Sequence, residues 1–201
     1  MGFLETLERI VGFFKSAVRK GAKEAGEVVD YMEFGRYPQT AEGEVRPVEW
    51  QVLARENNKA LVISRYALDA RRFDPKSNDW NKSEIRRWLN GEFYSSTFSG
   101  EEKARIISFN LDDVFLLSRE ESEKYFANND ARRCKPTAYA KAKGALGMYD
   151  FCFWWLRSPC PDLSNFACNV SYDGSVNVDL SDNVDTDSDS VRPALWINLK
   201  S

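Results

Sequence analysis

The fold of this chain is decided by residues 154–196, which read WWLRSPCPDLSNFACNVSYDGSVNVDLSDNVDTDSDSVRPALW. Within this segment, residues 158–191 contain no Lys, Arg, His, Glu, Gln, Met or Trp. The rest of the chain is rich in Lys, Arg and Glu, so this local change in residue types requires a cause.

Codon chemistry supplies that cause. Every residue type in residues 158–191 can be encoded by a codon that ends in a pyrimidine. Codons for Asp, Ser, Tyr and Thr lie one adenine substitution away from an Asn codon. Four Asn residues remain in the stretch: Asn165, Asn169, Asn177 and Asn183. This pattern is expected when Asn codons of a template are randomised at adenine, and it predicts a diversified binding surface.

Strand signals run through the same segment. Asp173-Gly174 lies between the strand-like residues 169–172 and 175–180, which is a strong signal for a hairpin turn. Apolar and polar residues alternate in the second of these strands, so one face should pack and the other should face water. This segment therefore predicts an irregular, β-rich C-terminal half.

Outside that half, the pattern mixes strands with helices. Residues 191–199 are typical of a closing strand, in which Pro193 suits an edge or a strand start. Residues 48–55 and 60–64 are joined by an Asn-Asn turn and predict a second hairpin, while residues 115–117 suit a buried strand or a helix lead-in. Hairpins and segregated helices without βαβ repeats predict an α+β fold.

Four helix starts are predicted from side chains that can accept a hydrogen bond from the first turn: Ser83, Ser99, Ser118 and Thr137. Glu102 and Glu121 complete capping boxes at the second and third of these starts. Gly91 and Gly144 are expected to end the first and last of these helices, because glycine tolerates the left-handed backbone that closes a helix.

A separate amphipathic helix is predicted for residues 1–30, where apolar residues recur at alternating spacings of three and four. Charged residues interrupt the apolar run, so the segment does not resemble a secretion signal. Three roles stay open for it: docking on the domain, self-association, and contact with a membrane through the basic residues that follow its apolar face. We assign the remaining residues, 31–201, to one domain.

Composition removes several classes of function. The chain has no histidine, which excludes Ser-His-Asp and Cys-His catalysis and removes the commonest zinc ligand. The four cysteines show no CxxC spacing and are expected to be buried or unpaired thiols. A net charge of −3 gives no electrostatic reason to expect binding to nucleic acid. The sequence contains no run of about 18 apolar residues, the length needed to span a bilayer. A microbial or viral cytoplasm and a delivered surface location both stay open.

Seven sequence blocks resemble a widespread microbial domain, over nearly all of residues 31–199. They are FGRYPQ (34–39), EWQVL (49–53), RRWLN (86–90), VFLLS (114–118), TAYAK (137–141), WWLRSP (154–159) and VRPALW (191–196). With these blocks the chain is similar to the variable proteins of diversity-generating retroelements. The resemblance implies a C-type lectin-like fold of the formylglycine-generating-enzyme type, whose C-terminal coding region is rewritten by reverse transcription with errors at adenine.

This resemblance implies a target-recognition protein that is not an enzyme. Together with the composition, it predicts no metal and no cofactor, and a partner that is a macromolecule, most simply a protein. Nucleic acid is not expected as the partner. The ligand-binding region is expected at about residues 160–190.

Diversified positions must be exposed. A buried large-to-small substitution costs about 2–5 kcal/mol, against a total stability of about 5–15 kcal/mol, whereas surface changes stay within about ±0.5 kcal/mol. The residues assigned to a rigid framework are Trp154, Trp155, Leu156, Arg157, Ala167, Val170, Gly174, Val176, Val184, Arg192 and Trp196. The exposed ligand-binding candidates are Asp162, Leu163, Ser164, Asn165, Phe166, Cys168, Asn169, Ser171, Tyr172, Asn177, Asp179, Ser181, Asp182, Asn183, Asp185, Asp187 and Asp189.

Special roles are expected for four members of these two sets. Phe166 and Tyr172 are the expected aromatic anchors, because aromatic side chains dominate binding hot spots at low entropic cost. Arg157 and Arg192 are expected to brace the irregular loops through carbonyl or carboxylate groups, since arginine readily forms several hydrogen bonds at once.

Three alternatives stay open. Asp185, Asp187 and Asp189 have the start of an EF-hand loop, but Ser190 replaces the required Gly and Trp196 the bidentate Glu, which leaves only an irregular calcium site. An oxidase of the formylglycine-generating type would use paired cysteines and copper, and fold analogy alone does not carry that chemistry. The third alternative is a lectin-like binding or structural module that is not diversified.

Overall fold

Two large sheets carry the fold. The structure, a computed structural model, describes residues 19–20 and 29–200, with the backbone alone at residues 19–20 and 179–181. In chain order the strands are β1 (Arg19–Lys20), β2 (Asp30–Pro38), β3 (Val45–Glu56), β4 (Lys59–Ser64), β5 (Asp69–Ala70), β6 (Ile106–Ile107), β7 (Gly147–Met148), β8 (Phe151–Cys152), β9 (Trp154–Pro159), β10 (Phe166–Val170), β11 (Val176–Asn183), β12 (Ser190–Val191) and β13 (Ala194–Asn198).

The helices are short and lie mostly between β5 and β7. They are α1 (Glu84–Trp88), α2 (Tyr94–Thr97), α3 (Gly100–Lys103), α4 (Arg119–Tyr125), α5 (Asn129–Arg132) and α6 (Ala138–Ala142). A 3₁₀ turn over Trp80–Lys82 precedes α1, and a π-helical turn over Leu89–Phe93 joins α1 to α2. The described chain is a mixed α+β fold with more strand than helix, which confirms the predicted class.

Strand order gives the C-terminal segment strands in both sheets. The first sheet has the order β1-β2-β3-β4-β13-β6, the second β11-β10-β9-β12-β5, and β7-β8 form a separate ribbon. The chain passes from the second sheet to the first between β12 and β13, at Pro193. Pro193 therefore stands directly before a strand, one of the two places predicted for it, where its missing N–H costs no ladder hydrogen bond.

Consecutive tryptophans of β9 fill two different cores. Side chains alternate between the faces of a strand, and both Trp154 and Trp155 are fully buried. Trp155 packs in a core with Trp50 and Phe73, whereas Trp154 packs in a second core with Phe126. Their indole nitrogens donate to the carbonyl oxygens of Arg132 (3.3 Å, from Trp154) and Arg71 (3.0 Å, from Trp155). Strand β9 thus joins both cores.

Burial confirms the framework as a set. Val176 and Arg157 are half-buried, and the other assigned framework residues are buried: Trp154, Trp155, Leu156, Ala167, Val170, Gly174, Val184, Arg192 and Trp196.

Both framework arginines form several hydrogen bonds, but only Arg157 has the kind of partners that were predicted. Arg157 lies 2.6 and 2.7 Å from the two carboxylate oxygens of Glu121 and 2.5 Å from the carbonyl oxygen of Leu116. Arg192, 2% exposed, donates from Nε to the carbonyl oxygen of Ser64 at 2.9 Å and from Nη2 to the side-chain oxygen of Gln51 at 3.3 Å. Arg157 thus bonds to a carbonyl and a carboxylate, whereas these partners of Arg192 lie in strands β3 and β4 and not in an irregular loop.

The predicted hairpin turn and the four predicted helix starts are confirmed. Strands β3 and β4 pair as the predicted hairpin, with Asn57 at φ 53° in its turn. Both predicted capping boxes are present, at the starts of α3 and α4, and Ser83 and Thr137 cap α1 and α6. Residues 115–117 are buried and bridge to β13 through Phe115 and Ala194.

The prediction that Gly91 ends a helix is wrong. The backbone continues through the π-helical turn into α2, because Leu89 and Phe93, on either side of Gly91, are both fully buried. Burial of these side chains outweighs the weak helix preference of a single glycine, which costs only about 1 kcal/mol.

The helix predicted for residues 1–30 lies almost entirely outside the described residues. At the described residues 19–20 and 29–30 the helix prediction is wrong: Arg19–Lys20 form β1, which pairs antiparallel with β2, and β2 begins at Asp30. A strand at the edge of a sheet has unpaired backbone N–H and C=O groups, with which a further short strand can pair. Among the described helices, none is both long and apolar enough to cross a membrane.

Candidate ligand-binding surface

The first part of the candidate surface is the loop over residues 161–165, all of which are exposed. Asn78, which lies outside residues 158–191, anchors this loop. Its backbone N–H donates to the carbonyl oxygen of Ser164 at 2.9 Å. Its side-chain nitrogen lies 3.0 and 2.8 Å from the carbonyl oxygens of Leu163 and Phe166. The loop is thus held by its backbone, while its side chains face solvent.

The second part is residues 182–189, which lie beside this loop. The N–H of Val184 donates to the carbonyl oxygen of Asn165 at 2.9 Å, and the carbonyl oxygen of Val184 accepts from the N–H of Asp74 at 3.0 Å. Asp185 and Asp187 are exposed on this segment. The structure therefore brings two stretches that are about 20 residues apart in the chain into one surface.

The structure sorts the candidates by exposure. Exposed members are Asp162, Leu163, Ser164, Asn165, Asp185 and Asp187, and half-buried members are Phe166, Tyr172, Asn177, Asp182 and Asn183. Asp179 and Ser181 lie on β11, where the side chains are outside the described part. In this region β11 bulges: residues 178–181 stand opposite Cys168 alone, between the pairs Ala167↔Asp182 and Asn169↔Asn177.

Four candidates are buried, so the expectation that they are exposed is wrong: Cys168, Asn169, Ser171 and Asp189, with exposures of 1, 0, 7 and 2%. The reason is the position of β10 between β9 and β11, with a core on each face. Asp189 directly precedes β12, which lies on the other side of β9. These four residues therefore belong to the scaffold.

A polar network, buried at Asn169 and Asp189, joins β10, β11 and the residue that directly precedes β12. The side-chain nitrogen of Asn169 donates to Asp182 at 2.7 Å and to Asp189 at 2.8 Å, while its oxygen accepts from Asn177 at 3.0 Å. Burial, and then the charge of Asp182, raise the pKa of the Asp189 carboxyl to about 8. A hydrogen bond to Asp182 also favours the protonated form, whereas the bond from Asn169 opposes it. Asp189 thus holds a proton at neutral pH.

The Asp189 proton makes stability depend on pH. A carboxyl group whose pKa is raised in the folded protein contributes its full stabilisation below pH 3.8, its ordinary pKa. That contribution is lost as the pH rises through the folded pKa of about 8. We expect the free energy of unfolding to fall over this range by up to about 1.4 kcal/mol per pH unit relative to Asp189→Asn. The Asn variant keeps a donor towards Asp182 and does not titrate.

Urea unfolding of both proteins, from mildly acidic to mildly alkaline pH, measures this difference. Asp162→Asn on the exposed loop is the matched control, and its pH profile should follow that of the unsubstituted protein. A difference between the unsubstituted protein and Asp189→Asn that stays constant with pH would contradict the raised pKa.

Tyr172 lies at the opposite end of the β10–β11 hairpin from Phe166. Six residues at about 3.3 Å each separate them by roughly 20 Å. The Tyr172 ring contacts Tyr149 and Phe153, with ring centroids 6.2 and 5.6 Å apart. The two expected aromatic anchors are therefore not neighbours, and Tyr172 instead borders the β7–β8 ribbon.

Sequence reasoning missed two contributors to this surface. Asn78 lies in a loop without any periodic pattern, so nothing local marks it as an anchor. The ribbon residues 146–149 expose Leu146 (60%), Met148 (49%) and Tyr149 (77%). The exposed ribbon could have been found from its apolar residues, which follow closely on the helix-ending Gly144, where polar turn residues are the usual choice.

All four cysteines are free and buried, which confirms the prediction for them. The Cys160 thiol donates to the carbonyl oxygen of Val178 at 3.1 Å, and the Cys168 thiol to that of Pro159 at 3.6 Å. Burial raises the pKa of Cys168 to about 11, which keeps this thiol protonated. Within residues 19–20 and 29–200, no cluster of three His, Cys, Asp or Glu side chains is placed to hold a metal ion.

A family model described as Domain of unknown function (DUF6273) matches residues 57–199. The chain belongs to that family. The DUF6273 match begins in the β3–β4 turn and ends after β13, so it contains both parts of the candidate surface and excludes β2 and β3. No curated protein and no solved structure matches the chain.

Proposed function

We propose that this protein is a target-recognition protein whose exposed C-terminal side chains are diversified by a retroelement on a C-type lectin-like scaffold. The observation that carries the proposal is how the candidate surface is held. Asn78 and Asp74, both outside the diversified stretch, bond to backbone oxygens of the surface segments. Replacing the exposed side chains would leave these bonds in place, so the shape would persist while the chemistry changes.

The proposal assigns different roles to exposed and buried residues of the stretch. The variable set comprises Asp162, Leu163, Ser164, Asn165, Asp185 and Asp187, with the half-buried Phe166, Tyr172, Asn177, Asp182 and Asn183 at its margin. Asp179 and Ser181 are proposed members by their place on β11. The buried position 169 is still Asn, the residue whose codon adenine substitutions would change. This agrees with selection against substitution at a buried position.

A protein is the ligand that this surface suits best. Exposed Asp, Ser and Asn side chains offer adaptable hydrogen bonds and charge, and half-buried aromatics offer contact area at low entropic cost. The surface is made of short protruding segments, whereas small-molecule sites are usually concave.

The genomic locus tests the origin of this surface. We expect a reverse-transcriptase gene and a near-identical template repeat beside the coding region. The template should differ from this gene at adenines in the codons of exposed residues, and agree with it at the codons of Trp154, Trp155, Gly174 and Arg192. A locus with neither feature, or with differences concentrated in buried codons, would contradict diversification and favour a lectin-like module with a constant surface.

Tolerance to substitution gives a second, protein-level prediction. When the six exposed codons for Asp162, Leu163, Ser164, Asn165, Asp185 and Asp187 are randomised together, we expect most variants to stay folded, because surface changes cost within about ±0.5 kcal/mol each. The matched library randomises six buried positions, Cys168, Asn169, Val170, Ser171, Asp189 and Ser190, and should be mostly unfolded. Protease resistance of displayed variants measures both, and equal tolerance would contradict the assigned surface.

A further inference from the structure

The β7–β8 ribbon carries an exposed apolar cluster outside the diversified stretch. Leu146, Met148 and Tyr149 are 60, 49 and 77% exposed, and we call residues 146–149 the apolar tip. Large apolar side chains that are clustered and exposed mark interaction sites more often than single ones. Tyrosine and methionine are also enriched in protein interfaces.

The backbone of the apolar tip is held in place. The N–H of Leu146 donates to the carbonyl oxygen of Ser188 at 3.0 Å, and its carbonyl oxygen accepts from the N–H of Phe153 at 3.1 Å. A Cβ atom on Gly147 would lie 1.8 Å from the carbonyl oxygen of Phe151, so the two ribbon strands are in close contact. A held tip loses little conformational entropy when it binds.

The apolar tip joins the separated parts of the candidate surface. Leu146 bonds to Ser188, within the 182–189 segment, while the Tyr149 ring lies 6.2 Å from that of Tyr172 at the far end of the hairpin. Constant apolar side chains thus stand between positions that the proposed function treats as variable.

Charge around the apolar tip indicates the chemistry of its partner. Residues 160–190 contain seven Asp, of which Asp189 is buried and protonated and adds no charge, and they contain no Lys or Arg. Asp150, at the end of the tip, has a side chain that is 73% exposed, and its ion pair with Lys135 spans 3.7 Å. Asp173 and Asp187 are exposed on the two segments that flank the tip. Complementary charge across an interface favours association and the correct orientation.

We propose that the apolar tip is a constant anchor of the ligand-binding surface, and that its partner is a protein with an apolar or aromatic pocket rimmed by Lys and Arg. This inference rests on the proposed function, because it takes residues 160–190 as the variable part of the same surface. The tip supplies a contact common to all partners, and the diversified side chains discriminate among them.

Selection from a phage-displayed library of random disulfide-closed peptides tests this inference on the full chain. We expect selected peptides to combine Lys or Arg with Trp, Leu or Phe, and to bind more weakly as salt rises. Met148→Ser and Tyr149→Ser should each lower their affinity by about tenfold or more, as hot-spot truncations do. Leu111→Ser is the matched control, since Leu111 is an apolar side chain that is 92% exposed elsewhere, and affinity should not change.

Peptides that bind both tip variants as well as the unsubstituted protein would overturn the inference. The inference would also be overturned if sedimentation velocity showed a dimer that becomes a monomer in either tip variant, because the tip would then be covered by a second copy. The double variant Asp185→Ser, Asp187→Ser separates the two proposals. If the tip variants lose peptide affinity and this double variant does not, the result supports the tip as an anchor and contradicts the variable surface. Unchanged thermal unfolding of the tip variants shows that weaker binding does not come from unfolding.

Discussion

Gly174→Ala is expected to lower the free energy of unfolding by about 2–4 kcal/mol. Gly174 has φ +84°, a left-handed backbone that costs other residues about 1 kcal/mol or more. An added Cβ would also lie 1.8 Å from the carbonyl oxygen of Asn129, which must be displaced at an overpacking cost of about 1–3 kcal/mol. The shift would disturb Arg132 as well, whose Nε donates to the Gly174 carbonyl oxygen at 2.8 Å.

Gly43→Ala is the matched control for this prediction. Gly43 has the same φ of +84°, and nothing lies within 4 Å of its added Cβ. The control therefore isolates the backbone term and should cost about 1 kcal/mol. Chemical denaturation of both variants measures the two losses. Equal losses would mean that the contact between Gly174 and Asn129 is not a tight one.

Trp154→Ala and Trp155→Ala are each expected to cost about 3–5 kcal/mol, as other buried Trp-to-Ala changes do. Both side chains are fully buried, and each substitution leaves a cavity in a different core. Against a total stability of about 5–15 kcal/mol, either loss would bring the domain close to unfolding. Denaturant unfolding of the single variants measures the effect, and the changes to Phe should cost less because the ring volume is mostly kept.

Tyr149→Ala is the control, because it removes an exposed aromatic ring instead of a buried one. Its side chain is 77% exposed, so we expect a change within about ±0.5 kcal/mol. Should Trp154→Ala or Trp155→Ala cost no more than this control, β9 would not be the element that joins the two cores, and the candidate surface would lack its support.

Features that depend on near neighbours in the chain were predictable. The caps at Ser99 and Ser118 need only a glutamate three residues later, and the turn at Asp173-Gly174 needs only a glycine that accepts a positive φ. Trp154 and Trp155 were expected in a rigid framework, but the structure alone showed that they fill two different cores.

Burial within residues 158–191 was not predictable in the same way. Asn169 and Asp189 are polar residues among other polar residues, and nothing local separates them from the exposed Asn165 and Asp187. Asn169 is buried because β9 and β11 flank its strand, and Asp189 holds a proton because it is itself buried and, second, because Asp182 lies beside it. Both causes involve residues that are distant in the chain.

The amino-acid sequence by itself determined the α+β class, the turns and caps, the framework of Trp and Arg residues, and the stretch whose composition points to diversification. Tertiary structure alone decided which side chains of that stretch face water, how Asn78 holds the loop, and that the apolar tip lies beside Tyr172. The physical reason is that exposure and contact depend on how distant strands pair, whereas turns, caps and strand faces depend on a few consecutive residues.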